Sequence, residues 1–259
     1  MAVVLQFYYC DNASYYRLIE CCIHMDDSAF IHEVESVFLP DDDLAMLVGR
    51  FELGHFSDEL FRQLSISAPE PVKTAVAKRQ AEFLAGRFLA RTLLEQRGIQ
   101  SQDVAIGPNR APIWPHGIVG SISHHDQLAA CVISHQTHDR CGVGLDIERL
   151  IAPELVAGMA GVVTDPEEGR RLSTQGMDDC VLMTLIFSAK ESIFKALYPQ
   201  VQRYFDFLEV AFTHLDEQWL HFELKCELAA TLPSGRKGKV YYQMMGESVL
   251  TFTRSEYFD

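Results

Sequence analysis

Two stretches with helical periodicity, each set among short runs with strand periodicity, restrict what this chain can fold into more than any other feature. The first runs from about Val72 to Arg97, where Ala75, Val76, Phe83, Phe88, Leu89 and Leu93 supply an apolar stripe and Gly98 is placed to end it. Its opposite side carries Lys78, Arg79, Arg87 and Arg91, and Gly86, a weak helix former, leaves room for close packing. The second covers about Asp178 to Tyr198, with Leu182, Leu185, Ile186, Ile193 and Leu197 on its apolar side and Pro199 as its stop. Thr164-Asp165-Pro166-Glu167-Glu168 reads as a further helix start, with a capping residue, an early proline and early acids. Strand-like pieces lie at Asp103–Ile106, Gly117–Ser123, Leu128–Ser134, Cys141–Glu148, Phe205–Thr213 and Trp219–Leu228, the last with strict alternation. Lys239–Met245 and Ser248–Arg254 read as a hairpin around Gly246-Glu247, and the proline-bearing loop 107–117 as a rigid, extended connection. Each half therefore offers one long helix and several strands, which predicts an α+β protein of two similar lobes, 1–140 and 141–259. Residues 1 to about 70, where acidic clusters alternate with short apolar stretches, yield no clear element.

Composition narrows the function classes. The 259 residues are 48% hydrophobic and 22% charged, a soluble globular balance. No apolar run reaches the roughly 18 residues that would span a bilayer. Met1 to Cys10 is apolar but lacks a basic start and runs straight into Asp11 and Asn12, so no secretory signal is expected and the cytoplasm is the expected location. Seven cysteines without CxxC spacing suggest neither a disulfide framework nor a zinc site, but small buried hydrophobes in a reducing compartment. The net charge of −14, from 22 basic and 36 acidic side chains, argues against a nucleic-acid partner. It leaves open a small anionic ligand in a local basic pocket, or simply a surface tuned for solubility.

Three short segments concentrate the polar chemistry. In Gly142-Val143-Gly144-Leu145-Asp146-Ile147-Glu148, strand alternation puts Asp146 and Glu148 on one face. Two such carboxylates repel unless a cation or protons sit between them, and their hard oxygens suit Mg²⁺; a strand end running into solvent would look the same. In Phe187-Ser188-Ala189-Lys190-Glu191-Ser192-Ile193-Phe194-Lys195, Glu191 and Lys195 stand one helical turn apart, as in an everyday exposed ion pair. Gly120-Ser121-Ile122-Ser123-His124 follows Arg110-Ala111-Pro112-Ile113-Trp114-Pro115; Ser121 and Ser123 share a face, and His124, read singly, is a turn or surface histidine.

The order and spacing of all three together are more specific than any one. Arranged this way, the chain resembles the surfactin-type 4′-phosphopantetheinyl transferases, in the branch of enterobactin synthase component D. That family's patterns are a Trp-Pro segment leading to Gly-Ser-x-Ser-His, then Gly-x-Asp-x-Glu, then aromatic-Ser-x-Lys-Glu-x-x-x-Lys. This sequence has Trp114-Pro115 and Gly120 to His124, Gly144 to Glu148, and Phe187 to Lys195, with no diagnostic position missing. The upstream helix matches the branch through Lys78-Arg79, Glu82-Phe83 and Gly86-Arg87 to Ala90-Arg91, so the resemblance spans about residues 76 to 198.

The resemblance implies two pseudo-symmetric lobes, each a small, mostly antiparallel sheet packed with a long helix, and coenzyme A in the cleft between them. It implies transfer of the phosphopantetheine arm of coenzyme A to a serine of an apo carrier protein, with release of adenosine 3′,5′-bisphosphate. By position, Asp146, Glu148 and Glu191 would hold Mg²⁺. Glu191 would be the base, directly or through a metal-bound water, and Lys195 a phosphate contact at the reacting centre, with Lys190 beside it. Ser123 and His124 would bind the nucleotide end, and Arg79, Arg87 and Arg110 would meet phosphates. The branch implies an aryl or peptidyl carrier of siderophore or other nonribosomal peptide synthesis, with fatty-acid or polyketide carriers second. Carrier proteins are usually acidic, so docking on this acidic chain calls for a local apolar or basic patch. A monomer is expected. Two other readings share the fold: a non-catalytic coenzyme A-binding protein and a metal-dependent phosphohydrolase.

Overall fold

The computed structural model describes residues 30–100, 103–138, 140–173 and 176–259, so the reading of Met1 to Cys10 and of Cys10, Cys21 and Cys22 lies outside the described residues. The chain divides into two compact units, one up to His135 and one from Gln136 onward.

The first unit contains β1 (Ile31–Ser36), β2 (Ala45–Phe51), the short helices α1 (Glu59–Gln63) and α2 (Glu70–Lys73), and α3 (Ala77–Gln96). After α3 come the two-residue strands β3 (Ala105–Ile106) and β4 (Pro112–Ile113), then β5 (Ile118–His125) and β6 (Leu128–His135). β1, β2, β6 and β5 lie in that order in an antiparallel sheet. α3 buries Leu84, Leu89, Leu93 and Leu94 in one core with Leu47, Cys131 and Ile133. Gly86 has a packing reason: a Cβ there would lie 2.7 Å from an Ile122 methyl, so the helix runs tightly over β5.

The expected helix over 72–97 is two helices. The chain straightens at Val76 (ψ 150°), and the Gln80 amide donates to the carbonyls of Lys73 and Ala75, which the break leaves without helical partners. Gly98 closes α3 as expected, at φ 73°. The expected basic side of this helix is largely packed. Arg87 is buried, and Arg91 donates to the carbonyls of Leu64 and Ser65.

The second unit runs through β7 (Val143–Arg149), α4 (Pro153–Met159), α5 (Pro166–Ser173) and α6 (Asp179–Val201). Four strands follow: β8 (Val210–Asp216), β9 (Trp219–Leu224), β10 (Lys237–Met245) and β11 (Ser248–Arg254). Its antiparallel sheet has the order β7-β11-β10-β9-β8. α5 starts as read, with Asp165 Oδ1 accepting from the N–H groups of Glu167 and Glu168, while Oδ2 takes the Lys225 ammonium. α6 starts on Asp178, whose side chain accepts from Cys180 and Val181, and outruns its expected stop. Pro199 sits in the last turn, and the helix ends at Gln202 in the left-handed region, whose N–H reaches the Tyr198 carbonyl.

α6 lies directly on β7. A Cβ at Gly142 would come 2.1 Å from the Ala196 carbonyl oxygen, and one at Gly144 1.7 Å from that of Ser192. Any side chain at Gly144 would have to displace helix backbone. The contact is also registered by polar groups: the Thr251 hydroxyl, on the residue paired with Asp146 across the sheet, bonds the hydroxyls of Ser188 and Ser192 at 2.9 and 2.8 Å. A second buried polar link joins three elements. Lys190 of α6 donates to Glu168 of α5 and to the Val163 carbonyl, both at 2.8 Å. The other oxygen of Glu168 accepts from the Phe212 N–H of β8.

Two stability outcomes follow from this packing. Gly144→Ala overpacks the α6–β7 contact by about 3 kcal/mol, lowering the melting temperature by roughly 6–12 °C in calorimetry. Lys190→Met leaves the buried Glu168 carboxylate without its cation and costs about 3–5 kcal/mol in urea unfolding; a wild-type midpoint would contradict this.

Candidate functional site

The polar residues of the three segments form two clusters, one in each unit. In the second unit the glycines of β7 and its carboxylates alternate onto one strand face, the face that α6 covers. The room the glycines leave brings Lys195 down onto the strand. Its ammonium donates to Asp146 Oδ1 and to the Leu145 carbonyl, each at 2.8 Å. Asp146 is buried at 3% exposure, Glu148 is half-buried near the end of the strand, and Lys195 keeps about a quarter of its side chain exposed. Glu191 is held one turn before Lys195 on the same helix. Burial pushes its carboxyl above the ordinary carboxylate range, the Lys195 ammonium opposes this, and the Asp146 charge adds to it. Beyond its charge interaction with Glu191, Lys195 forms an ion pair with Asp146 on the strand.

The oxygens of Asp146, Glu148 and Glu191 are of the hard kind a divalent cation takes, although among the described residues the three do not bring ligand atoms within 4.8 Å of one another. Three carboxylates on adjoining elements carry a formal charge of −3 against one nearby ammonium, and one of them already resists ionisation because of burial and its neighbour. Lys190 does not join the group. It points to the other side of α6, 1% exposed against Glu168, and burial lowers its pKa while Glu168 raises it. An ammonium so enclosed has no face to offer a phosphate, which corrects its expected place beside Lys195.

In the first unit α3 and β5 bring Arg79 and His124 together, with Arg79 Nη1 2.7 Å from His124 Nε2. Glu82 lies 3.5 Å from both Arg79 Nη1 and His124 Nδ1. With Nε2 accepting from the guanidinium, the Nδ1–H of His124 faces the carboxylate, so Glu82 orients the ring and neutralises part of the Arg79 charge. The sequence marks Glu82 through the i,i+3 step from Arg79 and the Glu82-Phe83 match on the helix, but its link to His124 is tertiary. Ser123 is buried on β5. Gly120 earlier on that strand lets the Trp114 ring lie on the backbone, 2.7 Å from where a Cβ would be. Arg87 is 9% exposed, its guanidinium 4.7 Å from the Phe83 ring centroid, and its Nε has no hydrogen-bond partner among the described residues. Burial lowers it to about 10, with the Arg79 charge acting in the same direction, so it stays cationic at neutral pH. Arg110 stands apart from these contacts, exposed in a turn at φ 64°.

Comparison with known proteins covers both units. Residues 68–134 match the 4′-phosphopantetheinyl transferase N-terminal domain, and residues 142–241 the 4′-phosphopantetheinyl transferase superfamily. The chain is 38% identical to enterobactin synthase component D of Salmonella typhi over 130 residues, which is 50% of this chain and 53% of that protein. The match therefore spans only about half the length of that relative. A 4′-phosphopantetheinyl transferase of Nocardia iowensis is 34% identical over 55% of this chain and 62% of its own length. Enterobactin synthase component D of Salmonella austin is 35% identical over 70% of this chain and 73% of its own length. With that extent of identity, and with family models matching the residues of both clusters, the chain belongs to the 4′-phosphopantetheinyl transferase superfamily.

Proposed function

We propose that the protein transfers the 4′-phosphopantetheine group of coenzyme A to a serine hydroxyl of an apo carrier protein, releasing adenosine 3′,5′-bisphosphate. The observation that carries this reading is the Asp146–Lys195 pair, set on a strand and a helix that also present Glu148 and Glu191. Family membership supplies the reaction class, and the relatives named for enterobactin synthase favour an aryl or peptidyl carrier of siderophore or related peptide synthesis over a fatty-acid or polyketide carrier. The free thiols of Cys131, Cys141, Cys180 and Cys226 are compatible with a reducing compartment such as the cytoplasm. Among the described residues no helix is long and apolar enough to cross a membrane.

In this reading Asp146, Glu148 and Glu191 hold Mg²⁺. When bound, the ion neutralises charge on the pyrophosphate oxygens of coenzyme A. Lys195, oriented by Asp146 and the Leu145 carbonyl, meets a phosphate oxygen as a point charge. Glu191 accepts the proton of the attacking serine hydroxyl, a role that its part in holding the ion weakens. Arg79 and His124, braced by Glu82, bind the phosphate of the nucleotide end, and Arg87 adds a desolvated positive charge behind them. Ser123 and Arg110 complete the proposed contacts.

Incubation with coenzyme A, Mg²⁺ and an apo carrier, followed by intact-mass measurement, tests the reaction: the carrier gains one phosphopantetheine arm. Free phosphopantetheine released without a carrier would identify a phosphohydrolase, and no gain on any of several carriers a non-catalytic coenzyme A-binding protein. Glu191→Gln and Asp146→Ala lower the transfer rate by about 100-fold or more, with folded circular-dichroism spectra; normal turnover by either would remove these residues from the reaction. Arg79→Ala raises KM for coenzyme A about tenfold with a smaller change in kcat, as loss of one charge-assisted contact predicts.

A further inference from the structure

A different cluster of metal-ligating side chains lies on the exposed side of the β8–β9 hairpin. The register of the pair shifts between Phe212 and His214, so the bulge at Thr213 sets His214 directly across from His221. The two imidazoles stack with centroids 4.2 Å apart and planes 5° from parallel. Asp216, two residues after His214 on the same face, places Oδ2 2.8 Å from His221 Nε2. One ligand atom from each of the three residues lies within 4.8 Å of the other two.

The surrounding bonds settle which nitrogen is available on His214. The Thr213 hydroxyl donates to the His221 carbonyl at 3.2 Å, so its oxygen accepts the Nδ1–H of His214 at 3.0 Å. That tautomer leaves the lone pair on His214 Nε2, and a hydrogen bond on the other nitrogen is the usual way a metal-ligating histidine is oriented. The turn beyond the cluster is held as well. The Tyr242 hydroxyl donates to the Glu217 carbonyl and its backbone N–H to that of Gln218, both at 2.9 Å.

We propose that His214, Asp216 and His221 form a site for a divalent transition-metal ion, Zn²⁺ foremost, separate from the Asp146, Glu148 and Glu191 set. Two imidazoles and one carboxylate are the donors that Zn²⁺, Cu²⁺ and Ni²⁺ favour, whereas Mg²⁺ prefers all-oxygen surroundings. Three protein ligands leave a tetrahedral ion one position for water or a donor from a partner. Neighbouring ligand atoms around such an ion lie about 3.3 Å apart, so Asp216 and His221 need to open by roughly 0.5 Å, and the stacked rings need to tilt from parallel so that both in-plane Nε2 lone pairs meet at the ion, shifts that exposed side chains make readily. The ion takes the place of the His221 Nε2 proton, which an imidazolium releases to solvent and a neutral ring carries on Nδ1 instead.

The test titrates metal-stripped, full-length protein with zinc sulfate in a non-coordinating buffer, beside His214→Ala and His221→Ala, which alter exposed or half-exposed residues. Zinc held by other histidines, cysteines or the carboxylate set is common to all three proteins and cancels in the difference. Calorimetry is expected to show one equivalent of zinc fewer in each variant. Cu²⁺ gives a second readout, because Trp219 is the cross-strand partner of Asp216. Copper quenches the fluorescence of the wild-type protein, and the variants lose that quenching component. Zinc stoichiometry or copper quenching unchanged by both substitutions would show the cluster to be a stacked histidine pair with an exposed ion pair, and would overturn the proposal.

Discussion

The contact on which the second unit depends is the seating of α6 on β7 with almost no side chain between them. Gly142 and Gly144 remove the atoms that would otherwise hold the helix away, and the carbonyls of Ala196 and Ser192 occupy the space. The meeting of Asp146, Glu191 and Lys195 is a consequence of this distance. At ordinary helix–sheet separation a lysine at 195 would extend into solvent and an acid at 146 would be buried without a partner, at a cost of several kcal/mol. At the observed separation the two meet in a 2.8 Å ion pair, and Glu191 is drawn into the same desolvated surroundings. Ser188, Ser192 and Thr251 act as a register key: their shared hydroxyls specify the roll of the helix beside the residue paired with Asp146.

Polar groups inside both units divide into those sealed within the packing and those left partly exposed, and residue type does not distinguish them. Lys190 and Lys195 are five positions apart on one helix, each bonded to a carboxylate at 2.8 Å. Lys190 ties α6 to α5 and β8, where it is sealed from solvent, while the Lys195 side chain stays about a quarter exposed. Arg91 and Arg79 form a similar contrast on α3. Arg91 satisfies backbone carbonyls of the preceding loop, and Arg79 meets the His124 ring beside Glu82. In each case the decisive quantity is which face of a packed helix the cation occupies, because burial on one side leaves nothing for a substrate to touch.

Much of the secondary structure was legible from periodicity and capping chemistry. The β6 and β11 segments and the Asp165 helix start stand where alternation and turn residues put them, because those signals act within a few neighbouring residues, whereas β9 stops at Leu224, four residues short of where alternation carries it. The misreadings have a common cause. The break at Thr74–Val76 is stabilised by a side chain from the next helix, Gln80, and Pro199 is accommodated in the last turn of α6 by a left-handed residue beyond it. Periodicity registers neither, since it counts apolar positions and not the hydrogen bonds that satisfy an interruption.

The sequence by itself determined an α+β chain, a strand with two carboxylates on one face, a helix with an acid and a lysine one turn apart, and the family to which that order belongs. Those properties depend on spacing along the chain, and spacing is fixed by backbone geometry. Only the tertiary structure decided that Lys195 pairs with Asp146 while Lys190 does not, that Glu82 braces His124, and that a bulge aligns His214 with His221. Each of these depends on the distance and rotation between separate elements. That geometry is set by how side chains, and at Gly142 and Gly144 their absence, fill the space between a helix and a sheet.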